Sequence, residues 1–391
     1  MALADLLPED VDVSHEPFDS IIRIQDIGIP DWPGWVFCHQ LVELATAIKP
    51  FALRFLLEQP NTVKVFYLDP DTVLFSRLDD LLAELDSHSI VLTPHLTAPE
   101  KTLRGVMDNE ISALKHGIFN LGFVGVASRP QGHAFAQWWG ERLYPFCRDD
   151  IPNGLFTDQR WVDLAPALFP EVCIHRGIRH NVATWNISNR QLTCDKTGQY
   201  LVNGAPLGFY HFTGFDSGAH EIMATVHGQN NKALFQLIEE YLQATKEQGK
   251  DPISARTWAF GRYFDGTPIT SVQRIVYRER PDLQRAFPNP FESDGYLQWW
   301  KSQAAIEYPE LGHKEGDEII KKSITRILSP GFTASNQKAS ITDDTTLVHA
   351  LLKVAKQDAR SQKALAHHAW KTFLNEGISG VLRRLRKMKD S

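Results

Sequence analysis

One stretch constrains this chain more than any other: Val65-Phe66-Tyr67-Leu68-Asp69-Pro70-Asp71-Thr72-Val73-Leu74-Phe75. A β-branched and aromatic run ends in two carboxylates one residue apart, and an apolar run then resumes. This is the pattern of a buried strand that releases an acidic pair at its carboxyl end. In an open α/β sheet, ligands bind at that end. Two carboxylates so close repel each other and need a partner. A hard divalent cation, held by one or two carboxylates together with substrate phosphates, is the usual one.

The surrounding pattern mixes strands and helices. A short strand is expected over 21–24, then a helix over 41–58 in which Pro50 either kinks the helix or opens a second one. A helix over 78–85 and a strand over 89–95 follow the acidic strand. Strand, helix and strand in that order is the signature of a parallel α/β sheet. A polar helix over 100–116 leads to a second buried strand over 117–126. An aromatic amphipathic helix over 131–148 and a strand over 208–215 complete this half.

Several polar residues interrupt these apolar runs, and each has a plain reading beside a chemical one. Lys49 reads as a solvated surface lysine or as a phosphate contact. Asn120 sits inside the second buried strand, two residues before Gly122, where an amide usually satisfies backbone groups. Thr157 or Asp158 could simply cap the helix that follows. His211 ends the last strand among aromatics; it is either a packed histidine or a ligand for a transition ion such as manganese.

The 391 residues exceed what one core normally fills, so a main domain with an appended part is expected. A helical accessory region packed by aromatics is expected over 229–328, a Ser, Thr, Gly and Asn-rich linker over 329–344, and amphipathic helices over 345–391. In the last helix Leu374, Ile378, Val381, Leu382, Leu385 and Met388 recur at helical spacing, with Arg383, Arg384, Arg386, Lys387 and Lys389 crowding its end. Those cations either offset the helix dipole or make a peripheral contact with the inner face of the plasma membrane. A net charge of -6 argues against a general nucleic-acid binder. Cys38, Cys147, Cys173 and Cys194 form no CxxC pair, and the acidic start MALADLLPEDVDV is unlike a secretory signal. With no run of eighteen apolar residues, a cytoplasmic protein is expected.

Tyr67-Leu68-Asp69-Pro70-Asp71 resembles the DxD motif of A-type, nucleotide-sugar-dependent glycosyltransferases. Phe119-Asn120-Leu121-Gly122-Phe123, Asp158-Gln159 and His211-Phe212-Thr213-Gly214 follow in the order and rough spacing of the bacterial family that includes lipopolysaccharide galactosyltransferases and is similar to glycogenin. The resemblance covers about residues 20–220. With Asn181 to Asn186 included, the set is most similar to bacterial transferases of surface polysaccharides.

The resemblance implies an A-type fold, a Rossmann-like and mostly parallel sheet flanked by helices, over a nucleotide-sugar-binding catalytic domain at 1–228. It implies that Asp69, Asp71 and His211 hold Mn2+ or Mg2+, with Asp69 also near the nucleotide ribose. Lys49, Asn120, Gly122, Asn181 and Trp185 would serve the donor, and Asp158 and Gln159 would line the reaction centre, with retention of anomeric configuration. The partners implied are a nucleotide-sugar donor and a glycan or lipid-linked acceptor. Two departures stand out. Phe215-Asp216-Ser217-Gly218 replaces the lysine and proline that clamp the diphosphate in related transferases. The chain also begins too late to carry the strand and helix that open such folds, so the first strand is expected to be missing.

Two rival readings remain open. Leu68-Asp69-Pro70-Asp71-Thr72-Val73 also fits the DxDx[T/V] pattern of haloacid-dehalogenase-type phosphatases, in which the first aspartate is the nucleophile and the second a general acid/base. The other rival is a transferase-like domain that binds carbohydrate or scaffolds an assembly without catalysis.

Overall fold

The computed structural model describes residues 1–325 except 9, 15, 216, 250–255 and 314. The expected linker and carboxyl-terminal helices lie outside the described residues. Six strands matter for the site: β1 (Lys64–Leu68), β2 (Thr72–Leu74), β3 (Ile90–Pro94), β4 (Phe119–Ala127), β5 (Val172–Ile174) and β6 (Phe209–His211). The main sheet has the order β1-β4-β3-β5. β4 pairs antiparallel with both β1 and β3, and β3 pairs parallel with β5.

The expected mostly parallel sheet is therefore corrected. β1 and β3 do run the same way, but β4 lies between them in the opposite direction. The reason is burial. Every residue of β4 is buried, so it takes the centre, whereas β1 keeps most of its residues only half-buried and forms an edge. The chain is a mixed α/β protein whose main sheet is mixed rather than mostly parallel.

Four helices frame the sheet: α1 (Leu41–Ala47), α2 (Lys49–Leu57), α3 (Asp79–Ser87) and α4 (Pro130–Phe146). The helix expected over 41–58 is in fact two. Ile48 separates them, and Pro50 stands in the first turn of α2, where its missing N–H costs nothing. α2 packs on α4, with Phe51 against Gly140. The strand expected over 21–24 is absent. Ile22 makes a single bridge to Ala2, and Ile24–Asp26 is a turn of 3-10 helix.

β2 and β6 form a separate antiparallel ladder that pairs Thr72 with His211. A small sheet beside it turns at Asn203-Gly204, both at positive φ, the two-residue turn that matches strand twist.

The region expected to be a helical accessory part is largely helical among its described residues, and Met1–Thr325 forms one compact unit. Phe260, Tyr263, Tyr277, Phe291 and Tyr296 belong to the same core as Ile24, Trp35 and Phe37. Phe37 is ringed by Tyr277, Phe291, Tyr296 and Tyr263 at centroid distances of 5.1, 5.2, 5.4 and 5.8 Å. The buried Arg274 donates to the carbonyl oxygens of Phe37 and Phe260. Trp258 Nε1 donates to Ala4 O at 3.1 Å, fastening the same region to the amino-terminal segment.

Candidate functional site

The acidic pair stands where β1 ends. Asp69 N donates to Gly122 O at 2.9 Å and so continues the β1–β4 ladder one step past the strand. The chain then turns: Thr72 donates to Asp69 O through both N, at 3.0 Å, and Oγ1, at 2.6 Å. This turn sends Asp71 toward β6, where Phe212 N donates to Asp71 O at 2.8 Å. Asp69, Asp71 and His211 consequently offer three ligand atoms, all within 4.8 Å of one another. His211 Nε2 lies 3.1 Å from Asp71 Oδ1 and 3.9 Å from Asp69 Oδ2.

Asn120 decides how the His211 ring is used. Its Oδ1 accepts from Gly122 N at 3.0 Å and from Asn181 Nδ2 at 3.0 Å, which identifies that atom as the oxygen. The same Oδ1 lies 3.0 Å from His211 Nδ1, so Nδ1 must carry the proton. Nε2 is then the atom that faces the carboxylates. A histidine fixed this way through its other nitrogen is the usual arrangement of a metal ligand. The residues present therefore fit a divalent cation. Partial burial would raise the Asp71 carboxyl, but when the His211 ring also carries a proton on Nε2 its hydrogen bond and charge outweigh burial and hold the group below its ordinary value.

Gly122 is needed for this contact. A Cβ there would fall on the His211 ring and lie 2.8 Å from Asn120 Oδ1. Asn181, at φ 48, also donates to Thr93 Oγ1 at 2.9 Å, tying Asn120 to the bulged end of β3.

Lys49 is not the solvated surface lysine of its plain reading. It is 2% exposed, with Nζ 3.1 Å from Asp69 Oδ1 and 2.9 Å from Asp158 Oδ2, and it donates to Leu121 O at 3.0 Å. Burial opposes its charge, yet Asp158 and Asp69 together hold the ammonium well above its usual pKa. Burial pushes the Asp158 carboxyl up, against the pull of Lys49. Tyr67 adds a hydroxyl donated to Asp69 Oδ1 at 2.5 Å. Lys49 thus joins the acidic pair to Asp158.

Asp158 does not act as a helix cap, because its side chain makes no capping bond to the helix Gln159–Val162. Thr157 before it has φ 42, a strained value for a β-branched residue, and donates to Asp158 Oδ1 at 3.1 Å. Gln159 is committed to the wall: its Oε1 accepts from Leu121 N at 3.1 Å and its Nε2 donates to His116 O at 3.2 Å.

Lys49, Asp69, Asp71, Asn120, Asp158, Gln159, Trp185 and His211 line one cleft of about 510 Å³. Gly122 and Asn181 do not line it but support Asn120 from behind. Trp185 meets the rings of His95 and His211 edge-on at 5.3 and 5.4 Å, and its buried Nε1 has no hydrogen-bond acceptor among the described residues. A ligand oxygen in the cleft would satisfy it.

Sequence reasoning missed His95. It follows β3 directly, on the same sheet edge as Asp69, and lies 3.3 Å from Asn120 Nδ2. Burial lowers its pKa to about 4, so it is the neutral acceptor there. Its position after a buried strand was the available signal.

The fold and site define a mixed α/β protein with a two-aspartate, one-histidine cluster on the floor of the cleft. The chain is 30% identical over 208 residues to the uncharacterized protein YfnD of Bacillus subtilis (strain 168), and 26% identical over 206 residues to the uncharacterized protein YfnF of the same organism. Each match covers 52% of this chain and 64% or 66% of the relative, so the chain spans slightly less than two thirds of the curated relatives it matches. No family model and no solved structure matches the chain.

Proposed function

We propose that this chain is a metal-dependent glycosyltransferase of the A-type fold, moving a sugar from a nucleotide-sugar donor to a glycan or lipid-linked acceptor in surface polysaccharide synthesis. One observation carries the reading. Asp69, Asp71 and His211 converge in a cleft that also takes Lys49, Asn120, Asp158 and Trp185.

Asp69, Asp71 and His211 would hold the cation. When bound, it supplies Lewis acidity to the donor diphosphate and offsets charge on the leaving group. The imidazole in the ligand set favours Mn2+ over Mg2+. Lys49 pairs with Asp69 and orients it, and this buried ion pair leaves the lysine with little charge to spare for a phosphate. Asn120 holds the His211 proton on Nδ1. Asp158, clamped by Lys49 and the strained Thr157, stands in the wall where the donor sugar would lie, and retention is the proposed stereochemical course. Gln159 shapes that wall through backbone contacts. Trp185 Nε1 is free to donate to a sugar or phosphate oxygen.

The experiment is a screen of nucleotide sugars for manganese-dependent hydrolysis, with Asp71→Ala as control. Turnover of one or more donors that disappears in the variant is expected. Robust, magnesium-dependent hydrolysis of an aryl phosphate that is abolished by Asp69→Asn would instead select the phosphatase reading. Calorimetry showing no metal-dependent nucleotide binding would select a non-catalytic carbohydrate-binding or scaffold protein.

A further inference from the structure

A second group of ligating side chains lies outside the cleft. Asp80 and Glu84 stand one turn apart on α3, and His175 and His180 flank Gly177 in the segment that leaves β5. Asp80, His175 and His180 place one ligand atom each within 4.8 Å of the other two.

The His180 ring is gripped on one edge and open on the other. Its Nδ1 meets His175 Nε2 at 3.0 Å, and His175 Nδ1 lies 3.5 Å from Glu84 Oε1. Its Nε2 lies 3.3 Å from Asp80 Oδ1 without making a hydrogen bond, although the side chain is completely buried. A buried ring nitrogen left in that state needs an explanation. Arg179 Nη1 lies 3.5 Å from Asp80 Oδ2, which leaves Oδ1 to face the histidine.

The spacing suits an ion. Two donors bound at about 2.0–2.1 Å in a tetrahedral shell stand roughly 3.3–3.4 Å apart, which matches the gap between His180 Nε2 and Asp80 Oδ1. The hydrogen-bond chain from His180 to His175 to Glu84 fixes the ring from behind, as the outer partners of metal-bound histidines do. Glycines make room for the rings. A Cβ at Gly177 would collide with His175 and stand 3.1 Å from His180 Nδ1, and one at Gly208 would stand 2.6 Å from His180 Cδ2.

We propose that Asp80 and His180, with His175 and Glu84 as the partners that hold the His180 ring and water completing the shell, form a second metal site that takes a borderline transition ion, Zn2+ being the best match to imidazole and carboxylate donors. This site is independent of the cluster at Asp69 and does not rest on the proposed transfer activity. The ion pins α3 to the segment 175–180. That segment runs directly into Asn181, whose side chain holds Asn120, so the ion braces the cleft from behind.

A neighbouring trio, Glu84, His88 and Cys173, is the competing location and shares Glu84. The unpartnered His180 Nε2 favours the first, because the second contains no such atom among the described residues.

The test uses the untagged full chain stripped with a chelator, on an Asp69→Ala and Asp71→Ala background that removes the cleft cluster. Zn2+ is titrated against a chromophoric competitor, and Co2+ is added separately to read four-coordinate geometry from visible absorption. Stoichiometric Zn2+ binding, a rise in Tm with Zn2+, and a loss of affinity of about tenfold or more in Asp80→Asn and in His180→Gln are expected. Asp80→Asn keeps the shape of a partly exposed residue, so a folding failure of His180→Gln leaves the test intact. Binding that survives Asp80→Asn, binding lost with Cys173→Ser alone, or no stoichiometric binding at all would each overturn the assignment.

Discussion

Lys49 Nζ lies 2.9 Å from Asp158 Oδ2, and each side chain is only 2% exposed. A lysine so placed holds the two acidic corners of the cleft at a fixed separation. Lys49→Met leaves Asp158 buried without its cation and Asp69 without its nearest one. A loss of about 3–5 kcal/mol in urea unfolding is expected. The double variant Lys49→Met, Asp158→Asn should recover part of that loss, because the two positions act as a unit. Strictly additive losses would show that the pair is not coupled.

Gly122→Ala tests the contact between β4 and His211. The added methyl must displace the His211 ring or the Asn120 amide, so a destabilisation of about 1–3 kcal/mol is expected. Metal-dependent nucleotide binding should weaken along with it. A variant with wild-type stability and wild-type manganese response would mean that the ring has room to spare.

Asp71→Ala and His211→Ala should differ in degree. Asp71 is a partly exposed residue at a turn and a proposed ligand, so its removal should abolish manganese-dependent nucleotide binding while the circular dichroism spectrum and Tm stay close to wild type. His211 is one proposed ligand among several, and its removal should weaken binding less. Calorimetry with Mn2+ measures both, and an unchanged response in His211→Ala would return the histidine to a packing role.

Much of this site was legible because strand ends are legible. Asp69, Asp71, Asn120 and His211 each interrupt an apolar run, and such interruptions can be seen without coordinates. The partners were not. Lys49 looks solvated beside Pro50 because nothing local reveals that α2 is buried against α4. The insertion of β4 between β1 and β3 depends on which strand tolerates burial on both faces, a property of the assembled sheet. Gln159 stands beside Asp158 in the cleft wall, but the local sequence does not reveal that its amide meets Leu121 N and His116 O, which are distant in sequence. The carboxyl-terminal aromatics were recognised as a packed group, but not as part of the core that surrounds Phe37.

Stability should also depend on pH through His39. Burial lowers its pKa to about 4, and its Nδ1 is committed to Trp35 O at 2.7 Å. The unfolded chain binds a proton there near pH 6.5 and the folded chain does not until about 4. Its contribution is therefore complete above pH 6.5, falls as the pH drops through that window, and levels off below 4. The slope of urea-unfolding free energy between pH 6.5 and 4 should be shallower in His39→Phe, which keeps an aromatic ring beside Trp35. An unchanged slope would assign the acid sensitivity to other groups.

The ring of aromatics around Phe37 also dictates when the protein can fold. Phe37 emerges early in synthesis, but Tyr263, Tyr277, Phe291 and Tyr296, which enclose it, are made more than two hundred residues later. Until then the nascent chain carries an unclosed apolar face, the kind of surface that recruits chaperones or aggregates. A fragment ending at Gly228 would keep that face open permanently. It should be found in inclusion bodies or bound to a holdase, whereas a fragment ending at Thr325 should be soluble.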